Sequence, residues 1–408
     1  MRGSKFVILG GGMVAGYAAK QLVELGLKPG ELTIVSGDTS IPYERPPLSK
    51  GFLAGKDSED AIRINSETFY REHRIEVKLS CDVSSVDAGG KRLVLRSGGE
   101  LAFEKLVIAT GARPRTLNVP GAGLRNVHYL RSLDDSRSIR RSAKNVKHAV
   151  VIGGGFIGME VAAVLAQKSI AVTMVLNEDR IWKRFFSPEM SAFFESYYDA
   201  RGVHIVKSAT VAELRGNEAV SSVALADGRN IPCEIVVAGI GVTPATEVLA
   251  GSGIEVRDGV VVDEYLRTRR DGIYAAGDVA SYQDVIFGKR RRVEHWDNAV
   301  SQGQYCARSL MGDQSPFRHV PYFFSDVFDL SYEYWGDASG ADQVIHRGDF
   351  TSKSFSVWWL QQERVTAAFT MNRPDEEREA APQWIEAKRN VSGAKLKDAA
   401  APISDALK

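Results

Sequence analysis

The chain has 408 residues, more than one ordinary core requires, so two or three domains are expected. Its 52 basic and 51 acidic residues leave a formal net charge of +1 with the signs interspersed, which gives no bulk case for a nucleic-acid or anionic membrane partner. No apolar run approaches the roughly 18 residues of a membrane span, and Phe6 enters a strand too early for a signal peptide to precede it. A cytoplasmic protein is therefore expected.

Residues 5–16, KFVILGGGMVAG, read as strand, glycine turn and helix start. Residues 6–9 are continuously apolar, as a parallel strand buried on both faces requires. Gly10-x-Gly12-x-x-Ala15 follows at once. The first glycine permits the tight turn, the second lets backbone approach a pyrophosphate, and the small third residue lets helix pack on strand. Residues 32–35 form a second apolar strand that ends near Asp38, about where an acid accepts ribose hydroxyls. The proline-stiffened residues 41–53, IPYERPPLSKGFL, carry Arg45 and Lys50. They read either as a surface turn or as two cations placed for flavin or phosphate. At residues 105–115 an apolar strand runs into Thr110 and Gly111, followed by Arg113, and so returns backbone to a bound dinucleotide, although an ordinary strand exit looks similar.

Residues 149–158, AVVIGGGFIG, repeat the opening with Gly153-x-Gly155-x-x-Gly158. Two fingerprints about 140 residues apart, each between strand and helix, are far more specific than one and imply a second nucleotide site. Residues 172–176 lead to Glu178, the candidate ribose acid of this second unit. An acid there disfavours a 2′-phosphate, so NADH is expected over NADPH, with Arg180, Lys183 and Arg184 close enough to accommodate the phosphate. Glu160 follows Gly158 on the first turn of the helix; it is either a helix-dipole partner or an acid facing the nicotinamide with Lys50 as counter-charge. Residues 235–244 and 272–280 are buried strands running into glycines, Gly241 and Gly277 among them. Asp278 then accepts a ribityl hydroxyl or caps the next turn. The basic run at 289–292 reads as a solvated hairpin tip or as a surface for an acidic protein.

Glu294 and His295 open a helix ending near Gly312; His295 has no partner at metal-ligand spacing, so no metal is expected. From Pro321 aromatic residues crowd the sequence. Residues 355–360 and 365–371 read as a hairpin and 375–389 as a helix, together a small α+β domain. Cys81, Cys233 and Cys306 lie too far apart for a CxxC pair, so no local redox disulfide is available.

Taken in order, GGGMVAG, PYERPPLSK, ATGARP, GGGFIGME, GIGVTP, YAAGD, RVEHWDNA and PYFFSDVF resemble the flavoprotein family of NADH:ferredoxin reductases, plant monodehydroascorbate reductases and apoptosis-inducing factors. The resemblance covers nearly the whole chain. It implies an α/β fold with two Rossmann-like dinucleotide-binding domains, one for FAD and an inserted one for NAD, and a small C-terminal α+β domain. The corresponding boundaries are 1–115 with 245–318 for FAD, 116–244 for NAD and 319–408 for the C-terminal interface domain. It also implies that Asp38, Arg45, Lys50, Arg113 and Asp278 hold FAD, that Glu160 pairs with Lys50 beside the nicotinamide, and that Glu294 and His295 meet the flavin–nicotinamide junction.

NADH would then reduce FAD, and without a disulfide the electrons would leave singly, to a [2Fe-2S] ferredoxin or a small organic radical such as monodehydroascorbate. The cysteine-using NADH oxidases and coenzyme A disulfide reductases carry a cysteine shortly after the first ribose acid, and residues 39–50 contain none. Monodehydroascorbate reductases usually have arginine where this chain has Val300 and tyrosine where it has Phe324, a position over the flavin that ferredoxin reductases commonly fill with tryptophan. A non-enzymatic redox-sensing role like that of the apoptosis-inducing factors is the competing class.

Overall fold

Short β-branched and apolar runs form two separate parallel sheets, each with a glycine turn at the carboxyl end of its leading strand. The computed structural model describes residues 4–183 and 185–408. These group into two compact units, the first comprising residues up to Arg45, Ser58–Arg113 and Val242–Pro321, the second Pro46–Asp57, Pro114–Gly241 and Tyr322–Lys408.

In the first unit strand Ser4–Leu9 lies between Leu32–Val35 and Glu100–Ile108, all parallel, with Glu76–Lys78 beyond Leu32–Val35 and Ile273–Ala275 on the far side of Glu100–Ile108. Val7 is level with Thr33 on one side and Leu106 on the other, so the strand is paired along both edges, and Val7 itself is fully buried. Phe6, Val7, Ile8, Ile34, Leu106, Val107 and Ile108 are almost wholly buried. Each such side chain contributes roughly 1.5–3 kcal/mol of burial, and together they anchor the glycine turn. Helix Met13–Glu24 packs closely on helix Trp296–Leu310, where a side chain at Gly303 would meet the Val14 carbonyl oxygen at 2.8 Å.

The second unit repeats the plan. Its parallel sheet runs Val203–Val206, Ala171–Val175, His148–Ile152, Ile235–Ala238, Val127–Tyr129. A separate antiparallel sheet of five strands follows, in the order Tyr322–Val327, Leu330–Gly336, Arg364–Met371, Ser354–Gln361, Gln343–Asp349. The hairpin expected at 355–371 is present as Ser354–Gln361 paired with Arg364–Met371, and helix Asp375–Glu386 follows it. Trp182, Phe186, Phe194, Tyr332 and Phe369 form one edge-on aromatic cluster that joins helix Pro188–Asp199 to this sheet.

Lys289–Arg291 pairs with Ala280–Asp284 as a hairpin whose Lys289 and Arg290 are exposed. The proline-stiffened stretch at residues 41–53 runs into a short 3-10 turn, Pro46–Ser49, and a single helical turn, Gly51–Ala54. Prolines at 46 and 47 start that turn, where a missing N–H costs nothing.

Candidate active site

In the first unit Gly10 has φ +123°, and an added Cβ would lie 2.1 Å from the Ala109 carbonyl oxygen, so only glycine makes this turn. Gly12 starts helix Met13–Glu24 with no side-chain cap, leaving the helix's first N–H groups available to an anion. The nearest atom to a Cβ added at Gly12 is Arg45 Nη2, at 3.9 Å. Ala15 is fully buried between helix and sheet. An uncapped helix start, an open glycine and a guanidinium at one point fit the pyrophosphate of FAD.

Asp38 accepts hydrogen bonds from Tyr43 Oη at 2.8 Å and from the Ser40 amide at 3.2 Å, and lies 4.0 Å from Arg45. Thr110 Oγ1 donates to the Ala245 carbonyl at 2.6 Å, beside Gly111 at φ +69°. Arg113 is exposed and meets Glu247 at 3.5 Å. The Gly277 amide donates to Gln302 Oε1 at 2.7 Å, and half-buried Asp278 follows it in a 3-10 turn. Glu294 is exposed and pairs with Arg292. His295, the residue before helix Trp296–Leu310, keeps part of its surface open, yet desolvation lowers its imidazole to about 4 against the opposing pull of Asp278 and Asp297. It is therefore a neutral imidazole at pH 7.

Glu44 escaped the sequence reading. It accepts Tyr17 Oη at 2.5 Å and Trp296 Nε1 at 2.6 Å, tying the proline-rich stretch to both helices that flank the first glycine turn.

In the second unit Gly153 has φ +104°, and an added Cβ there would sit 2.3 Å from the Gly239 carbonyl oxygen. A Cβ at Gly158 would sit 2.2 Å from the Gly153 carbonyl oxygen, while Gly155 has nothing within 4 Å. The three glycines thus divide into turn, open approach and close packing, and Gly155 starts helix Phe156–Gln167 without a side-chain cap. This geometry fits a second dinucleotide. Gly241, at φ +99°, accepts the Arg115 amide at 2.9 Å. Glu178 is exposed after strand Ala171–Val175. Arg180 spends its guanidinium on the carbonyl oxygens of Phe186 at 2.8 Å and Lys183 at 3.3 Å, and Lys183 pairs with Asp179 at 2.9 Å. Arg184 lies outside the described residues.

Glu160 is the fifth residue of its helix, beyond the expected first turn, because the helix already begins at Phe156, ahead of Gly158. At that depth its carboxylate no longer serves the helix start. It is buried, and three donors converge on it: Lys50 Nζ at 3.3 Å and Ser325 Oγ at 2.5 Å on Oε1, and Ser49 Oγ at 2.5 Å on Oε2. Lys50 Nζ also stands 4.6 Å from the centre of the half-buried Phe324 ring. Burial, with the Glu160 charge adding, pushes the Tyr198 and Tyr332 phenols well up, so both stay protonated. Lys50, Glu160 and Phe324 are therefore brought together. Ser49 and Ser325 are additions that the sequence reading missed, although each is the immediate neighbour of a residue it singled out.

Among the described residues no cluster of three or more metal-ligating side chains occurs, and no helix is long and apolar enough to cross a membrane. The three cysteines are free.

The family model described as pyridine nucleotide-disulphide oxidoreductase matches residues 4–303, and the reductase C-terminal model matches residues 322–407. The chain is 37% identical over 395 residues to the peroxisomal monodehydroascorbate reductase 4 of Arabidopsis thaliana, covering 92% of this chain and 80% of that protein. It is 34% identical to the monodehydroascorbate reductase of Pisum sativum, covering 95% of each. Among solved structures, putidaredoxin reductase in its covalent complex with putidaredoxin superposes with a TM-score of 0.94 at 32% identity, covering 98% of this chain and 97% of that one. The ferredoxin reductase for the CYP199A2 system of Rhodopseudomonas palustris also gives 0.94, at 33% identity, covering 99% and 100%. With both glycine turns built for dinucleotides and the family models spanning most of its length, the chain belongs to the pyridine nucleotide-disulphide oxidoreductases and is an FAD-dependent NAD(P)H oxidoreductase.

Proposed function

We propose that this enzyme takes hydride from NADH and delivers electrons singly to a [2Fe-2S] ferredoxin or a small organic radical of the monodehydroascorbate kind. The observation that carries the proposal is the ion pair between half-buried Lys50 and buried Glu160, the latter on the helix of the second glycine turn, in a protein whose three cysteines are free. Burial pushes the Cys233 and Cys306 thiols up to about 12, so neither supplies a thiolate at neutral pH. FAD, when bound, supplies the step from two-electron uptake to one-electron release.

The chain's own residues do the rest. Gly10, Gly12, Ala15, Asp38, Arg45, Thr110, Gly111, Arg113, Gly277 and Asp278 hold the FAD. Gly153, Gly155, Gly158, Glu178 and Gly241 hold the nicotinamide nucleotide. In the second unit Lys50 and Glu160 orient the nicotinamide, with Phe324 against Lys50; in the first, Glu294 and neutral His295 serve the flavin. The domains on this reading are 1–115 with 245–318 for FAD, 116–244 for NAD and 319–408 for the acceptor side, in a cytoplasmic protein. NADH is preferred because the guanidinium of Arg180 and the ammonium of Lys183 are already engaged, while the Glu178 carboxylate is exposed where a 2′-phosphate would approach.

By the resemblance, Val300 and Phe324 stand at positions where a monodehydroascorbate reductase has arginine and tyrosine, and neither side chain offers the guanidinium or phenol that an anionic, hydroxyl-rich radical would want. Arg308 does not replace the missing cation: eight residues further along the helix it lies about 12 Å away, and it faces Asp313 at 3.7 Å. Affinity for the ascorbate radical should be roughly 30- to 1,000-fold below that of a site with both groups, which favours a ferredoxin or a less polar oxidant. Stopped-flow reduction by NADH followed by mixing with an acceptor panel tests this. Fast reoxidation by a ferredoxin and weak saturation by the ascorbate radical, regained in Val300→Arg/Phe324→Tyr, are expected; slow turnover with every acceptor would overturn the reading.

A further inference from the structure

The geometry points to Ser49 and Ser325 as positioning residues, a pair of hydroxyl donors that fix the orientation of the Glu160 carboxylate for hydride delivery. This inference rests on the function proposed above for Glu160.

Both serines are about 1% exposed, so water does not compete for their hydroxyls. Each lies 2.5 Å from a different carboxylate oxygen, Ser49 from Oε2 and Ser325 from Oε1, the spacing of strong O–H···O⁻ bonds. Among the described residues Ser49 Oγ has one further acceptor, the Pro46 carbonyl, at a longer 3.4 Å. The two hydroxyls come from unrelated pieces of chain. Ser49 ends the 3-10 turn Pro46–Ser49, which also presents Lys50, and Ser325 sits within strand Tyr322–Val327 beside Phe324.

Lys50 alone would hold Glu160 poorly. Its ammonium is 3.3 Å from one oxygen, at the end of a four-carbon stem, and it leaves the carboxylate free to rotate about its own bond. Two short hydroxyl bonds, one to each oxygen, remove that rotation without adding charge. The carboxylate is then fixed in orientation, with Lys50 left as its single counter-charge.

The test uses holoenzyme carrying Ser49→Ala, Ser325→Ala, the double change, and Glu160→Gln. Ser325→Cys, similar in volume with a weaker donor, serves if the buried alanine variant does not fold. The limiting rate of flavin reduction and the NADH dissociation constant are measured separately by stopped flow. Infrared spectra of protein with 13C-carboxyl glutamate locate the Glu160 carboxylate bands by their loss in Glu160→Gln. Each serine change should slow limiting reduction roughly 10-fold, and the double change no more than about 100-fold. NADH affinity should stay within about twofold, and the Glu160 bands should move. Unchanged rates and bands in the serine variants, with Glu160→Gln slow, overturn the clamp alone. An unchanged limiting rate in Glu160→Gln overturns both the clamp and the role of Glu160 on which it depends.

Discussion

Glu160 and Glu377 are both buried carboxylates of the second unit, and they are satisfied in opposite ways. Glu377 is saturated by charge: Arg347 Nε at 2.7 Å and Arg373 Nη2 at 2.5 Å share one oxygen, and Ser356 Oγ at 2.7 Å takes the other. Arg347 extends the network to the carbonyl oxygens of Leu396, Asp398 and Ala401, fastening the C-terminal segment to the sheet. Burial would raise the Glu377 carboxyl, but the hydrogen bonds from Arg373, Arg347 and Ser356 outweigh it and hold the group below its usual range. Glu160 has one ammonium and two neutral hydroxyls instead. A carboxylate matched by two guanidiniums is a fastener. One held by a single ammonium and two hydroxyls is fixed in orientation with only one counter-charge, as the role proposed for Glu160 requires.

The comparison predicts that the two acids fail differently. Glu377→Gln strands two guanidiniums among buried groups and should cost about 3–5 kcal/mol of stability, read from denaturant melts, with little change in limiting reduction rate. The same group fixes an acid limb. Because its folded pKa is depressed, its contribution is complete above the unfolded value near 4.3 and is lost as pH falls through the lower folded value. The variant should therefore melt with a shallower loss of midpoint below about pH 4. An unchanged melting midpoint in Glu377→Gln would break the contrast at its structural end.

Lys50→Met should reverse the pattern. Limiting flavin reduction should fall roughly 100-fold, while stability falls by only about 1–3 kcal/mol because both hydroxyl donors remain on Glu160. A large melt with an intact rate would make this pair a second fastener.

His295 sharpens the contrast from the other unit, since it answers burial by giving up its charge. With a folded value of about 4, below its ordinary 6.5, it stabilises fully above pH 6.5 and loses that contribution as pH falls toward 4. His295→Gln should remove about 3 kcal/mol of pH-dependent stability across that window, and an equal slope in variant and parent would reject the assignment. The smallest effect expected is at the exposed Glu178. Glu178→Ala should lower the ratio of NADH to NADPH efficiency roughly tenfold, for about 1.5 kcal/mol of lost contact. A rise in that ratio would count against the ribose role.

What could be read without coordinates follows from the range of the forces involved. The two glycine turns were legible because strand, turn and helix start are contiguous, and Gly10 and Gly153 answer to backbone geometry within a few residues of chain and the neighbouring strand. The 354–371 hairpin was legible for the same local reason. The depth of Glu160 was misjudged by a turn because a helix start is set by which amides are left to the ligand, and Gly155 carries no side-chain cap to mark it. Ser49, Ser325 and Glu44 were invisible as site residues. Serine has no periodic signature, and its partner Glu160 lies 111 residues away in one case and 165 in the other, so only tertiary packing brings them together. The Arg347–Glu377 fastener was hidden likewise, as two ordinary charges 30 residues apart.

The most direct test of the central claim is a double-mutant cycle on Lys50 and Glu160, read as the limiting rate of flavin reduction at saturating NADH in parent, Lys50→Met, Glu160→Gln and the double variant. If the two side chains act as one unit in hydride delivery, each single change slows the step roughly 100-fold and the double change is scarcely slower than either, a strong departure from additivity. Single variants that reduce at the parent rate, or a double variant whose loss is the product of the two, would contradict it.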